Sequence, residues 1–197
     1  MGSTDTPNAP KVRAPKPVAP SNRTHRARTA HVVARAEPSR EARILSRSID
    51  LLGGIRSIDE QVAQLLKNAE AGRMALHKAM REGRFSYSSL GALVDGLSEL
   101  KRKDVADVIG VSSRTLERQR AAPDRPMPAD VASRTWMLAE TIAKAAEVFG
   151  GLEQAEKWMG KPAMGLDGCR PIEMLQTVQG AEVVNDFLGR LEYGVYS

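Results

Sequence analysis

The chain has 197 residues, of which 42% are hydrophobic and 27% charged, and its formal net charge at pH 7 is +5. This composition is typical of a globular protein, and no apolar run approaches the roughly 18 residues that a membrane span requires. The single cysteine excludes an internal disulfide. Together with an N-terminus that lacks the apolar centre of a signal peptide, it predicts a reducing, cytoplasmic location without membrane contact.

Charge is distributed unevenly along the chain. Basic and acidic residues number ten and three in residues 1–47 (+7), six and seven in 48–99 (−1), seven and four in 100–125 (+3), and six and ten in 126–197 (−4). A basic patch attracts phosphates by Coulomb attraction and counterion release. The central basic segment therefore suits nucleic acid, whereas the acidic C-terminal part suits a protein partner.

Residues 1–40 are predicted to form a disordered basic tail. Six of the eleven prolines lie within the first 38 residues, and no aromatic residue precedes Phe85. Prolines lack the backbone N–H donor, and this segment has almost no apolar surface to bury. Folding would therefore not compensate for the loss of its conformational entropy. A solubilising or linker role is favoured; a DNA-binding arm carrying Arg23, Arg26 and Arg28, or a site where proteolysis begins, are the alternatives.

The remainder of the chain is predicted to be all-α. Apolar residues at helical spacing predict helices over residues 41–52, 57–82, 86–96, 99–121, 128–149, 152–159 and 181–192. Pro128 suits the first turn of the long helix, and Gly150-Gly151 ends it. No alternating pattern predicts a strand. We expect a helical region over residues 41–125 and a second helical domain over residues 126–197.

The segment LSELKRKDVADVIGVSSRTLERQR, within residues 97–121, predicts a helix-turn-helix. Ala106 is small where a second helix would cross, and Gly110 follows four residues later, where glycine most easily adopts a positive φ. Ser112 or Ser113 is placed to cap the next helix, and Leu116 would face inward. This pattern is typical of two helices that cross through a short turn.

The second helix of such a unit enters the major groove by its N-terminal residues. Lys101 to Lys103 lie at the N-terminus of the first helix, where the helix dipole disfavours positive charge. Helix stability therefore does not explain these residues, whereas contact with the DNA backbone would. Arginines can donate to guanine or phosphate, and hydroxyls to phosphate. A solvated charged face on a pair that only dimerises is the alternative. The predicted DNA contacts are Lys101, Arg102, Lys103, Ser112, Ser113, Arg114, Thr115, Glu117 and Arg118.

The stretch WMGKPAMGLDGCRPIEMLQTVQG, residues 158–180, offers no catalytic set. Gly160-Lys161 is not a phosphate loop, because Pro162 stands where a Ser or Thr is needed and no strand precedes it. The only potential metal ligands nearby are a cysteine and two carboxylates, without a histidine, so that neither a metal nor a cofactor is predicted. His25, His31 and His77 form no catalytic group with other residues, and a non-enzyme is predicted.

An architectural role for this stretch is the remaining interpretation. Trp158 would anchor a short helix on the core, with turns at Gly165 and Gly168. Cys169 is interpreted as a small packing residue. Gly180 would let the chain enter the final helix. The result is either a compact helical subdomain or a surface that binds a partner.

Residues 146–194 resemble the toxin-binding domain of the Xre/MbcA/ParS antitoxins. The matching features are AAEVFGGLEQAEKWM, the loop PAMGLDG and RPIEMLQTVQGAEVVNDFLGRLEYG. Upstream, SRTLERQ resembles the Xre-type helix-turn-helix, and the likeness covers roughly residues 85–197. The chain departs from the family pattern at Trp158-Met159, Pro162-Ala163 and Arg118-Gln119, where the family often has Trp-Leu, Pro-Asn and two arginines.

The resemblance implies a type II antitoxin without catalysis of its own. Its partner would be a RES-domain toxin that consumes NAD or transfers its ADP-ribose, and the C-terminal domain would cover the toxin's NAD-binding cleft. Operator DNA and a homodimer are also expected, because helix-turn-helix proteins usually pair over two half-sites. The alternative is a stand-alone regulator whose C-terminal domain serves dimerisation or another partner. The residues predicted to contact the toxin are Trp158, Leu166, Gly168, Arg190, Tyr193, Gly194, Val195, Tyr196 and Ser197.

Overall fold

A computed structural model of the chain describes residues 1–2, 39–54 and 69–194. Within these ranges the only extended pairing is an isolated bridge between Ser86 and Pro126, so the all-α prediction is confirmed. A 3₁₀ turn covers Met164–Leu166. The helices are α1 (Arg40–Leu51), α2 (Ala69–Arg81), α3 (Tyr87–Gly96), α4 (Arg102–Ile109), α5 (Ser113–Arg120), α6 (Ala129–Phe149), α7 (Leu152–Met159), α8 (Pro171–Met174) and α9 (Val178–Glu192).

The described helix bounds follow the predicted ones except that the range 99–121 contains two helices, α4 and α5, and that α9 starts earlier. The helix predicted over residues 57–82 is described only from Ala69, and the predicted tail of residues 3–38 lies outside the described residues. Helix α9 begins three residues before the predicted start at residue 181. The side chain of Thr177 caps α9 by accepting a hydrogen bond from the backbone N–H of Gly180. Gly180 therefore lies inside the first turn of the helix and does not precede it.

Helix α6 is the central element of the fold. It packs against α1 on one side and against α4, α7 and α9 on others. The alanines on its buried faces are almost completely inaccessible, which lets neighbouring backbones approach closely. Gly150, with φ 82°, ends the helix in the left-handed conformation. These alanines are Ala132, Ala139, Ala143, Ala145 and Ala146.

Helix α1 is held to α6 by apolar burial and by ion pairs. Ser39 caps α1 by accepting a hydrogen bond from the Ala42 N–H at 3.2 Å. Ile44 is buried in α1, and Leu52 is fully buried just after it. The guanidinium of Arg43 donates to the Glu147 carboxylate on α6 at 3.2 Å. Because such exposed pairs contribute little to stability, burial of the apolar side chains accounts for most of the attachment.

One hydrophobic core extends through the described helices. Its members run from Leu52, after α1, to Leu188 in α9. The described residues 39–54 and 69–194 belong to one compact unit. Side chains from both halves of the predicted helical sequence therefore share a core. In the described part of the chain, no helix is both long enough and apolar enough to cross a bilayer.

Candidate functional site

A three-residue turn joins α4 and α5, and its geometry explains Gly110. The glycine has φ 79°, and its N–H donates to the Ala106 carbonyl at 3.0 Å. The N–H of Val111 donates to the same carbonyl at 3.0 Å. A Cβ on Gly110 would lie 2.7 Å from Nη1 of Arg134, which reaches over the turn from α6. The left-handed backbone conformation therefore favours glycine here, whereas the flexible end of the arginine can shift.

The start of α5 is capped by Ser112, which decides between the two predicted serines. Its Oγ accepts a hydrogen bond from the Thr115 N–H at 3.0 Å, and its hydroxyl lies 2.9 Å from that of Thr115. Ser113 is the first residue of the helix and is exposed. Leu116 is buried beneath α5, as the pattern predicts. These local features agree with a helix-turn-helix, and the assignment itself stays a prediction.

Two of the cationic residues at the start of α4 form ion pairs within the chain. Arg102 donates to Glu117 of α5 at 3.2 Å, and Lys103 donates to Asp107 one turn further along α4 at 2.6 Å. The hydrogen bond that the Lys103 ammonium donates to Asp107 raises the pKa of that ammonium. Intramolecular pairing thus gives Arg102 and Lys103 a stabilising role that the helix dipole does not, and their contact with DNA stays a prediction.

The other predicted DNA-contact cations are differently placed. Lys101, Arg114 and Arg118 are exposed and have no ion-pair partner among the residues that the structure describes. Thr115 is half-buried, and Glu117 is exposed but paired with Arg102. The guanidinium groups of Arg114 and Arg118 are therefore open to an anion, unlike the paired Arg102.

Glu156 of α7 connects the second half of the chain to the segment before α4. It is only 1% exposed. Its Oε2 accepts hydrogen bonds from the backbone N–H groups of Glu99 at 2.8 Å and Leu100 at 3.2 Å. A buried carboxylate is tolerated when it is hydrogen-bonded in this way. Glu156 thereby satisfies two donors that lie 56 and 57 residues away in sequence.

Arg170 forms a second connection between the same parts of the chain. Its Nη2 donates to Asp104 of α4 at 2.6 Å, and its Nε donates to the Gly160 carbonyl at 2.9 Å. Its Nη1 donates to Glu173 at 2.8 Å. The hydrogen bond to Asp104 is the main cause of the raised pKa of Arg170. The arginine therefore fixes both ends of the loop 160–170 and attaches it to α4.

Trp158 lies within a column of aromatic rings. Its ring centroid is 4.9 Å from that of Phe149 and 6.1 Å from that of Phe187, on which it stacks. The Arg190 guanidinium carbon lies 5.8 Å from the Phe187 centroid. Gly165 lies beneath Phe187, because a Cβ there would be 2.1 Å from the ring. Trp158 is half-buried and anchors α7, as predicted.

The loop after Trp158 is closed by its own backbone. The Ala163 N–H donates to the Cys169 carbonyl, and the Gly168 N–H donates to the Ala163 carbonyl, both at 3.0 Å. Gly168 has φ 75°, whereas Leu166 is buried under the loop. Cys169 is exposed, so the interpretation of this residue as a packing side chain is wrong. Its backbone holds the loop, while Leu166 fills the space beneath.

The outer face of α9 carries the remaining predicted toxin contacts. Arg190 is exposed, and Tyr193 is 75% exposed next to Gly194, which has φ 66°. An open groove of about 640 Å³ follows this face. The predicted contacts at residues 195–197 lie outside the described residues. The groove is lined by Val183, Asn185, Asp186, Gly189, Arg190 and Tyr193.

Two strongly exposed apolar side chains, one in the loop and one at the start of α9, were not among the predicted contacts. Met164 of the loop is 94% exposed, and Val178 at the start of α9 is 66% exposed. Large apolar side chains that remain in water often mark a contact surface. For Met164, the sequence offered one indication, namely its position between two glycine-containing turns. In the described ranges no three His, Cys, Asp or Glu side chains are grouped closely enough to hold a metal ion.

Residues 144–194 match the family described as the antitoxin Xre/MbcA/ParS C-terminal toxin-binding domain. An antitoxin Xre from Yersinia enterocolitica is 33% identical over 101 residues, covering 51% of this chain and 68% of that protein. One from Pseudomonas putida is 35% identical over 81 residues, or 41% of this chain and half of the relative. One from Photorhabdus laumondii is 29% identical over 105 residues, which cover 53% of this chain and 70% of that protein.

The fold and these matches define a class of protein, namely an all-α antitoxin with a toxin-binding domain at residues 144–194. The matched range begins inside α6 and ends just after α9, so it includes the aromatic column, the closed loop and the groove. The chain belongs to the Xre/MbcA/ParS family of antitoxins.

Proposed function

We propose that the chain neutralises a cognate RES-type toxin by covering its NAD-binding cleft with the C-terminal domain. The observation that carries the proposal is the match of residues 144–194 to a toxin-binding domain. The exposed apolar side chains of that range support it, since Tyr193, Met164 and Val178 offer contact area. Residues 194–197 would reach into the cleft after α9. The antitoxin acts by occupying the cleft and contributes no catalysis.

A growth assay tests this proposal. The reading frame adjacent to this gene is induced alone, then with the full chain, and then with a chain that lacks residues 194–197. We expect arrest with the toxin alone, relief by the full chain and loss of relief by the deletion. Tyr193→Ala should weaken relief, because tyrosine supplies a rigid contact at small entropic cost. Lack of toxicity, or lack of rescue by the full chain, favours a stand-alone regulator.

We propose further that a homodimer binds operator DNA through α4 and α5 and represses its own operon. Support comes from the cap at Ser112 and from the exposed, unpaired Arg114 and Arg118 among the described residues. Phosphate contacts by such arginines release counterions, so that operator affinity should fall steeply with salt.

Charge reversal separates this DNA proposal from the toxin proposal. The double variant R114E/R118E should abolish the mobility shift of operator DNA in a gel at physiological salt. It should still rescue cells from the toxin. The matched control is K157E/K161E, which changes the net charge equally within the C-terminal domain. Unchanged shifts with R114E/R118E, or equal losses in both variants, contradict the assignment of α5 as the recognition helix.

A further inference from the structure

Gly189 in α9 is required neither by its backbone conformation nor by close packing against the residues that the structure describes. It has no positive φ, and a Cβ built on it meets no atom within 4 Å. Two other glycines of this region differ. A Cβ on Gly180 would lie 2.0 Å from the Met174 carbonyl oxygen, and a Cβ on Gly165 would lie 2.1 Å from the Phe187 ring. Gly194 has φ 66° after the helix end. Glycine is the least favourable residue in a helix after proline, so position 189 would favour a larger residue if only the stability of α9 mattered.

The surroundings of Gly189 indicate a contact surface. The glycine lies in the groove on the outer face of α9, with Asp186 three residues before it and Tyr193 four residues after it on the same helix face. Val183 is 44% exposed and Tyr193 is 75% exposed. The missing side chain leaves a gap between these flanks. Through such a gap another chain can approach the helix backbone more closely than any side chain would permit.

We infer that this gap receives a segment of the toxin polypeptide, packed against the α9 backbone at Gly189. The inference deepens the proposed function and rests on it. The groove lies entirely within the matched toxin-binding range, residues 144–194. Apolar flanks supply contact area, and the opposite charges of Asp186 and Arg190 at its edge select a partner with complementary charges. Asn185 is already engaged, because it accepts from Lys144 at 3.0 Å and donates to the Ala181 carbonyl at 2.8 Å.

The substitution Gly189→Ala tests the inference, because it should not lower folding stability but should weaken toxin binding. Alanine has space in the free protein and a higher helix propensity, so the thermal midpoint should stay the same or rise. Affinity for the purified product of the adjacent toxin gene should fall at least tenfold, as measured by calorimetry, and Gly189→Leu should reduce it further. The matched control is Gly91→Ala in α3, where a Cβ also meets no atom within 4 Å. This control should be equally stable and should bind the toxin as the wild type does.

The outcomes separate the inference from the function on which it rests. Wild-type binding that both Gly189 variants retain overturns the inference and leaves the proposed function standing. A chain that dissociates into monomers on Gly189→Ala, with toxin affinity unchanged, assigns the groove to self-association and overturns it as well. Failure of the wild-type chain to bind the toxin removes both. Loss of toxin binding with an intact fold and unchanged oligomeric state, as measured by light scattering, supports the inference.

Discussion

At the scale of single residues, the buried carboxylate of Glu156 is the most sensitive polar contact. Its two backbone donors, at Glu99 and Leu100, have this oxygen as their acceptor. Substitution by alanine would leave both donors without this acceptor, and the bond to Leu100 is buried. We expect Glu156→Ala to lower the free energy of unfolding by about 2–4 kcal/mol, as measured by urea denaturation.

The control for Glu156 lies on the same helix. Glu153 is exposed and pairs with Lys157 one turn away. Because solvent screens such a pair, Glu153→Ala should leave the urea midpoint close to that of the wild type. Glu156→Gln retains one acceptor oxygen, so it should lose less stability than Glu156→Ala. Equal effects of the alanine substitutions at positions 153 and 156 would show that the buried hydrogen bonds contribute nothing beyond an exposed contact.

Gly180 gives a second prediction at this scale, opposite in sign to that for Gly189. Alanine is normally favoured over glycine within a helix. At position 180, however, the new Cβ would lie 2.0 Å from the Met174 carbonyl oxygen and 2.9 Å from Oγ1 of Thr177. Relief of this overlap requires displacement of the backbone after α8. Gly180→Ala should therefore cost about 1–3 kcal/mol or more in unfolding experiments. A gain in stability would disprove the close approach.

At the scale of secondary-structure elements, Arg170 joins the loop of the toxin-binding domain to α4. Its side chain is 26% exposed, and that of its partner Asp104 is 14% exposed. Such a partly buried, charge-assisted hydrogen bond is stronger than a surface pair. A double-mutant cycle with Arg170→Ala and Asp104→Ala should give a coupling energy of about 1–2 kcal/mol in unfolding measurements.

A second cycle controls for the general effect of charge on α4. Lys103 and Asp107 form an exposed pair on that helix, with side chains 75% and 37% exposed. Their coupling should be smaller than that of Arg170 with Asp104 and should disappear at high salt. If the two cycles give equal couplings, Arg170 acts as an ordinary surface charge and does not hold the loop on α4.

Sequence patterns predicted the elements better than the contacts between them. Helical periodicity located α1, α6 and α7 to within about two residues, because it reflects local burial on one helix face. The start of α9 was missed, since Gly180 suggested a break while Thr177 was the cap. The hydrogen bonds from Leu100 to Glu156 and from Arg170 to Asp104 each join residues more than 50 positions apart, so no local sequence pattern predicts them. The pairing of Lys103 with Asp107, in contrast, has an i,i+4 spacing that can be read directly from the sequence.

At the scale of the whole molecule, the parts predicted to bind DNA and toxin share one hydrophobic core. Leu116 of α5 and Leu188 of α9 both belong to it, and α6 contacts helices from each part. Glu156 and Arg170 add polar links across the same boundary. A fold of this kind unfolds cooperatively, because neither part retains a complete core without the other. A ligand that stabilises one part should then also stabilise the other.

The two tryptophans report this cooperativity from different places. Trp136 of α6 is 7% exposed and lines a cavity together with Ile44 of α1 and Leu76 of α2, whereas Trp158 stacks on Phe187 of α9. In the single-tryptophan variants W136F and W158F, fluorescence follows one location at a time. Within each variant we expect the urea midpoint from fluorescence to coincide with that from far-UV circular dichroism, since one core unfolds in one step. A Trp136 signal in W158F that changes before the helical signal would show that α1 and α2 separate first, and that the shared core does not bind the molecule into one cooperative unit.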